Sequence, residues 1–190
     1  SVPTLSRVAE LSNNARVENA AYYTGKDTLT EVFQHLPAFE KDEIRILEPA
    51  VGSGNFIPFL IKKYAYAKAV IIDVIDTDSD ALRILSSLLL LQTIPSNVKI
   101  NILKGDFITY DFNGIHYDLI IGNPPYLKLT TKSPNLTVYR ELLNDNTGNN
   151  LAGFFVSKSL NMADYVALIL PKNILCNTEY QITRMRTAKK

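Results

Sequence analysis

Apolar residues along the chain fall into short runs separated by polar turns, and the spacing within the runs changes from one run to the next. Ile44–Leu47 and Ala69–Ile75 are nearly continuous in apolar character, and the second is rich in β-branched residues. Such runs are typical of strands buried on both faces of a sheet. Phe56–Tyr64, which lies between them, has apolar residues at a helical spacing. The first part of the pattern therefore predicts strand, helix and strand.

The same alternation continues to the end of the pattern. We predict further helices at Lys26–Leu36, from Asp78 or Ser79 to Leu91, and at Leu151–Met162, and further strands at Val98–Leu103, Tyr117–Ile121 and Tyr165–Leu170. Residues 128–150 are polar and weakly periodic, which predicts a long loop with one helical turn near Tyr139–Leu143; long loops in compact domains are often functional lids. Alternating helices and fully buried strands predict an α/β fold, with a mostly parallel sheet and helices on both faces.

Composition narrows the class of protein. The chain has 190 residues, of which 46% are apolar, and 20 Lys and Arg residues oppose 19 Asp and Glu residues. These values predict one globular domain, or one domain plus a fragment, and exclude a disordered chain. The apolar runs are too short to cross a membrane, no secretory signal opens the sequence, and Cys176 is the single cysteine. We therefore expect a cytoplasmic location and chemistry without a metal.

The net charge of +1 gives no electrostatic sign of nucleic-acid binding. A protein that binds duplex DNA without help usually carries a visible basic excess. A role on DNA would leave this near-neutral charge to be explained.

Candidate chemistry follows the predicted strands. Four segments come directly after, or at the end of, successive strands: Glu48–Asn55, Asp76, Asp106–Phe107 and Asn123–Tyr126. In an open parallel sheet, ligands bind beyond the carboxyl ends of the strands. We expect these four segments to line one site.

The first two segments have the chemistry of a ligand-binding edge. Gly52 and Gly54 allow the backbone to approach a ligand closely, and Glu48 suits a cationic group. The loop lacks the Gly-Lys-Ser/Thr ending of a phosphate loop, so a nucleoside triphosphate is not expected. Asp76 could accept hydrogen bonds from a ribose diol. A tight strand-to-helix turn and a helix-capping carboxylate are the corresponding structural explanations.

The segment Asn123-Pro124-Pro125-Tyr126 carries the strongest signal. Two prolines restrict the backbone and remove two N–H donors, which leaves the Asn123 side-chain oxygen and the Pro124 carbonyl as acceptors. Two acceptors aimed at one point suit an amino group with two hydrogens, and Tyr126 offers a ring for a planar base. A Pro-Pro turn after a strand is the structural alternative.

Together these motifs resemble the class I methyltransferases that use S-adenosylmethionine, and specifically the DNA adenine-N6 methyltransferases of restriction-modification systems. The segment from Glu48 to Phe56 resembles that family's cofactor loop, and Asn123–Tyr126 matches its catalytic tetrapeptide. Ala21–Gly25 is similar to a segment that the family places against the methionine end of the cofactor. The resemblance implies a Rossmann-like catalytic domain over residues 44–180, preceded at 1–43 by a helical segment of the same domain that contacts the cofactor.

The resemblance also assigns residue roles. Glu48 and the glycine turn would hold the amino-acid end of S-adenosylmethionine, Asp76 its ribose, and Asp106 with Phe107 and Phe155 its adenine. Asn123 and Pro124 would accept from N6 of a flipped adenine on which Tyr126 stacks. The implied cofactor-binding residues are Tyr23, Thr24, Glu48, Pro49, Ala50, Gly52, Gly54, Asn55, Phe56, Asp76, Thr77, Asp106, Phe107, Asn123 and Phe155. The implied catalytic residues are Asn123, Pro124, Pro125 and Tyr126.

Other functions share the tetrapeptide. Related methyltransferases act on RNA bases or on protein glutamine, and a noncatalytic cofactor-binding fragment or subunit is a further possibility. The family normally adds a last sheet hairpin and a domain that reads the DNA sequence, and we expect this chain to lack both. Double-stranded DNA would then be bound through a missing recognition domain or a partner chain, with an associated restriction endonuclease as a possible partner.

Overall fold

A computed structural model describes residues 24–146 and 148–188. The first helix and the central elements are α1 (Lys26–His35), β1 (Glu43–Pro49), α2 (Ile57–Tyr64), β2 (Ala69–Asp76), α3 (Ser79–Leu90), β3 (Val98–Lys104) and β4 (Tyr117–Gly122). The later elements are α4 (Leu136–Leu143), α5 (Leu151–Met162), β5 (Ala163–Leu168), two short 3-10 turns (Lys172–Leu175 and Thr178–Tyr180) and α6 (Gln181–Thr187). Most of the predicted N-terminal segment, including Tyr22 and Tyr23, lies outside the described residues.

The five described strands form one sheet in the order β3-β2-β1-β4-β5, and every pair is parallel. The chain moves outward from β1 to β3 and then crosses back to β4. This reversal creates a switch point between β1 and β4, where the loops that follow the two strands diverge. The predicted α/β class with a mostly parallel sheet is confirmed.

Both faces of the sheet are covered by apolar side chains. Ile46 and Ile72 belong to a core cluster that also includes residues of α1, α2 and α3. Leu47 and Ile120 belong to a second cluster, with aromatic residues of the segment after β3 and of α4 and α5. Because neighbouring positions such as Ile46 and Leu47 enter different clusters, the strands must be apolar at consecutive positions, as the sequence pattern indicates.

Two predictions about element bounds were wrong. The last strand runs from Ala163 to Leu168 rather than from Tyr165 to Leu170, because Ala163 is buried and already pairs with Tyr117 of β4. The segment predicted as a loop with one helical turn contains the eight-residue helix α4, which ends at Asn144 in a left-handed conformation. Leu136, Tyr139 and Leu143 form its buried face.

Within the parts of the chain that the structure describes, no helix combines the length and the apolar character that a membrane crossing requires.

Candidate functional site

A pocket of about 320 Å³ lies beyond the carboxyl ends of the strands. It is bordered by Glu48 near the end of β1, Asp76 at the end of β2, Asp106 after β3 and Asn123 after β4. The four segments that were predicted to line one site therefore lie together at one edge of the sheet. Thr24, which lies two residues before α1, lines the same pocket from a distant part of the chain.

The glycine turn is held against β2 by backbone hydrogen bonds. Val51 N donates to Ile75 O at 3.2 Å, and Gly52 N donates to the Asp76 carboxylate at 2.8 Å. Ala50 and Gly52 both have φ of 56°, and Gly54 has φ of 84°. A Cβ on Gly54 would come within 2.5 Å of Leu85 Cδ1, so α3 can pack closely beneath the turn only because this residue lacks a side chain.

Asp76 is held by backbone N–H donors in addition to lining the pocket. Its Oδ2 accepts from Gly52 N, and its Oδ1 accepts from Asp78 N at 2.9 Å. Burial raises the pKa of the Asp76 carboxyl above its usual value, although these N–H donors act in the opposite direction. Since each carboxylate oxygen has two lone pairs, the group can hold the turn and still accept from a ligand hydroxyl.

The opposite end of the pocket is aromatic. Phe107 and Phe155 both line it, and their ring centroids lie 4.9 Å apart. Asp106 stands beside them, with Oδ1 accepting from Ile108 N at 2.9 Å and Oδ2 accepting from the Tyr139 hydroxyl at 2.7 Å. An apolar aromatic wall with a carboxylate beside it can hold a planar ring that carries an amino group.

The Asn123–Tyr126 segment is tied to two distant parts of the chain. Asn123 Nδ2 donates to Thr24 Oγ1 at 3.1 Å, and the Tyr126 hydroxyl lies 2.5 Å from Asn123 Oδ1 and 2.9 Å from Ile169 O. A phenol has one proton, so Tyr126 donates to one of these two oxygens at a time. The amide of Asn123 is therefore oriented by contacts on both sides.

The greater part of the chain matches a known protein family. Residues 64–189, about two thirds of the chain, match the model described as Eco57I restriction-modification methylase. The chain belongs to this family. The matched region includes Asp76, Asp106 and Asn123–Tyr126, whereas the glycine turn and Thr24 lie before it.

Curated relatives and a solved structure agree with this membership. The chain is 31% identical over 121 residues to the Type II methyltransferase M.CvrRI of Paramecium bursaria Chlorella virus XZ-6E, an alignment that covers 64% of this chain and 28% of that protein. It is 28% identical over 184 residues to the Type II methyltransferase M.VspI of Vibrio sp. (strain 343), which covers 92% of this chain and 42% of the relative. The chain thus spans less than half the length of these two relatives.

A similar fold occurs in the type I restriction-modification system methyltransferase subunit from Streptococcus thermophilus. The two structures superpose with a TM-score of 0.64 at 16% sequence identity, over 88% of this chain and 38% of that one. At this identity the likeness concerns the fold, which agrees with the class I methyltransferase architecture expected from the motifs of this Eco57I-family chain.

The structure groups most of the predicted cofactor residues of this Eco57I-family chain around the pocket. The predicted residues that line it are Thr24, Glu48, Ala50, Gly52, Asn55, Phe56, Asp76, Thr77, Asp106, Phe107, Asn123 and Phe155, together with Pro125 from the catalytic set. Pro49 and Gly54 shape the turn without lining the pocket, and Pro124 and Tyr126 are next to lining residues in the chain but do not line the pocket themselves. Tyr23 lies outside the described residues.

Sequence reasoning missed the wall that α4 provides. Asn135, Tyr139 and Leu151 line the pocket but lie in or beside a segment that the polarity pattern marked as loop. The available signal was the helical spacing of Leu136, Tyr139 and Leu143 within that polar stretch. The remaining lining residues, to which the motifs assigned no individual role, are Val51, Ile75, Asp78, Ala81 and Gly105.

Proposed function

We propose that this chain forms the catalytic part of a DNA methyltransferase that transfers a methyl group from S-adenosylmethionine to N6 of adenine. The observation that carries the proposal is the position of Asn123 and Pro125 on the wall of the pocket that Glu48, Asp76 and Asp106 also line. A cofactor in this pocket would lie beside an amine-accepting tetrapeptide. Membership of the Eco57I restriction-modification methylase family supports DNA as the substrate.

The residues of the pocket fit S-adenosylmethionine. The cofactor has a cationic amino-acid end, a ribose diol and an adenine, and the pocket offers a buried carboxylate at Glu48, a carboxylate at Asp76 and an aromatic wall at Phe107 and Phe155. The absence of a Gly-Lys-Ser/Thr phosphate loop also agrees with a ligand that has no phosphate. When bound, the cofactor supplies an activated methyl group on a sulfonium.

The chain's own residues would orient the acceptor nitrogen. Asn123 Oδ1 and the Pro124 carbonyl accept the two N6 hydrogens, which draws the nitrogen lone pair out of conjugation with the ring. For this, Tyr126 turns its proton to Ile169 O, its second partner at 2.9 Å, so that Asn123 Oδ1 can accept from the substrate. Positioning supplies most of the acceleration, and no strong general base is required.

The target base must leave the duplex before N6 can reach this pocket. The net charge of +1 offers little attraction for the DNA backbone. We therefore infer that sequence recognition in the whole protein depends on a further domain or a partner chain. A restriction endonuclease is the expected functional associate of such an enzyme.

A methyl-transfer assay with a panel of substrates tests the proposal. Purified chain and S-adenosylmethionine with a labelled methyl group are incubated with duplex DNA that contains unpaired adenines, with structured RNA, and with a glutamine-containing protein substrate. Unpaired adenines reduce the cost of base extrusion, which matters if the recognition domain is elsewhere. We expect label in DNA alone.

Each other outcome contradicts a specific part of the proposal. Label in RNA or in protein would support the alternative substrates and contradict DNA as the acceptor. Cofactor binding without transfer to any substrate would support a noncatalytic cofactor-binding subunit instead. Failure to bind S-adenosylmethionine would contradict the assignment of the pocket itself.

A further inference from the structure

Tyr139 makes a contact to the pocket that none of the motifs includes. Its side chain is buried on the inner face of α4, and its hydroxyl donates to Asp106 Oδ2 at 2.7 Å. The direction of this hydrogen bond is unambiguous, because an ionised carboxylate can only accept. The same hydroxyl oxygen accepts from Asn135 Nδ2 at 3.2 Å. Burial, followed by the bond to Asp106, raises the pKa of Tyr139, so the phenol keeps the proton that it donates.

The Asp106 carboxylate is therefore held on both oxygens. Ile108 N donates to Oδ1 at 2.9 Å, and the Tyr139 hydroxyl holds Oδ2. Two strong donors on opposite oxygens prevent the group from rotating about its last bond. The Thr109 hydroxyl lies 3.4 Å from Oδ2 in a third and longer contact, and Oδ1 keeps a lone pair beyond the bond from Ile108 N. Because Asp106 lines the pocket, the carboxylate can accept from a ligand in a fixed direction.

The packing around Tyr139 makes it a rigid support. Its ring lies 5.6 Å from the ring of Phe154 at an interplanar angle of 64°, an edge-to-face contact between α4 and α5. Leu136 and Leu143 are buried on the same face of α4, one turn on either side. The hydroxyl is thus presented to Asp106 by a helix whose apolar face is already anchored.

We propose that Tyr139 is a positioning residue that aims the Asp106 carboxylate at the exocyclic amino group of the cofactor's adenine, and so sets the preference for adenine over a 6-oxopurine. This inference rests on the proposed function, which places S-adenosylmethionine in the pocket. An amino group donates to the aimed carboxylate. The oxygen of hypoxanthine only accepts, so two acceptors would face each other without a proton between them.

The test compares two ligands on three proteins. Wild type, Tyr139→Phe and the control Tyr110→Phe are titrated calorimetrically with S-adenosylhomocysteine and with its inosine counterpart. Tyr110 is a suitable control because it lies in the loop that follows Asp106 and packs on Phe112, but is not among the residues that line the pocket. Both variants remove one phenol oxygen and leave the ring in place.

For wild type and Tyr110→Phe we expect the adenosine ligand to bind clearly more tightly. For Tyr139→Phe we expect its affinity to fall by about tenfold, the scale of one hydrogen bond to a charged group, with the inosine ligand changed by less than about twofold. The ratio of the two affinities would then contract. Because both ligands are measured on one preparation, a smaller folded fraction cancels from the ratio, and a purely structural defect would not move it.

An unchanged or larger ratio in Tyr139→Phe would overturn the inference, and so would an equal contraction in Tyr110→Phe. Failure of the wild-type chain to bind S-adenosylhomocysteine has a different meaning. It would contradict the proposed cofactor, and the proposed role of Tyr139 would then have no basis. Binding by wild type therefore separates a failure of this inference from a failure of the proposed function.

Discussion

Single residues at the glycine turn hold the local structure and, in the proposed function, also bind the cofactor. Gly52 donates its N–H to Asp76, and Gly54 allows Leu85 to approach the backbone. The Asp76 carboxylate in turn holds both the turn and the start of α3 through Asp78 N. A substitution at any of these positions should therefore change stability and cofactor binding together.

Replacing Gly54 with alanine should destabilise the fold by about 2 kcal/mol, because a left-handed backbone disfavours a Cβ and the new methyl group would collide with Leu85 and Ile57. Urea denaturation monitored by circular dichroism measures the loss. Gly25→Ala is the matched control, since Gly25 has φ of −67° and open space around its Cβ position. Equal free energies of unfolding for the two variants would contradict this explanation of the turn.

Acid should weaken cofactor binding through Asp76. Its pKa is raised by burial, so the folded protein takes up a proton at a higher pH than an ordinary aspartate, and the neutral form accepts poorly from a ribose diol. By linkage, the same shift means that this group's contribution to stability is lost as the pH rises through the range from 3.8 to the folded pKa, whereas ligand affinity grows over that range.

Calorimetric titration of S-adenosylhomocysteine over a falling pH series checks the effect. Glu48 and Asp106 also line the pocket, so the Asp76→Asn variant is needed to isolate the contribution of Asp76 to the pH dependence of binding. We expect the variant to bind more weakly at neutral pH and to lose less affinity on acidification. Parallel pH profiles for the two proteins would show that Asp76 is not the titrating group.

At the scale of elements, Lys158 connects α5 to the aromatic end of the pocket. Its Nζ donates to Ile108 O at 2.9 Å and to Tyr110 O at 2.8 Å, and it lies 5.3 Å from the centroid of the Phe107 ring. Burial lowers the pKa of Lys158, although the nearby carboxylates of Asp106 and Asp111 act in the opposite direction. The loop that carries Asp106 and Phe107 is thus fastened to a helix.

Replacing Lys158 with methionine keeps the length of the side chain but removes both hydrogen bonds. We expect a loss of about 2 kcal/mol in unfolding free energy, because two backbone carbonyls lose charged donors, and a weaker affinity for S-adenosylhomocysteine as Phe107 becomes less well held. Lys62→Met removes the same charge from an exposed position of α2 and should change neither quantity appreciably. Similar effects of the two variants would contradict the role of Lys158.

The sequence predicted helices and strands most accurately where the apolar residues followed one clear spacing. The continuous apolar run of β2 and the Asp78 cap of α3 could both be read directly, and the cap is made by the Asp78 carboxylate accepting from Asp80 N and Ala81 N. Helix α4 was missed because its apolar residues are separated by polar ones and its stability comes from packing against α5. The Tyr139 hydroxyl bonds to Asp106, 33 residues earlier in the chain, and the Tyr126 hydroxyl bonds to Ile169, 43 residues later. No local sequence pattern predicts such distant pairs.

At the scale of the whole molecule, topology places the chemistry. Parallel strands deliver Glu48, Asp76, Asp106 and Asn123 to one edge of the sheet, and this convergence was predictable because the motifs follow successive strands. The small net charge was also informative. It does not oppose the proposed role on DNA. Under that proposal the attraction for DNA comes from another part of the protein or from a partner, in a family whose curated relatives are more than twice as long as the region matched here.

The central claim is that Asn123 presents an adenine amino group to the cofactor, and identification of the methylated product tests it most directly. Wild type and Asn123→Ala are incubated with S-adenosylmethionine and duplex DNA containing unpaired adenines, and the DNA is digested to nucleosides for mass spectrometry. We predict N6-methyldeoxyadenosine from wild type, and at least a hundredfold slower formation by Asn123→Ala at saturating cofactor. Methylation of another base, or an undiminished rate in the variant, would contradict the account.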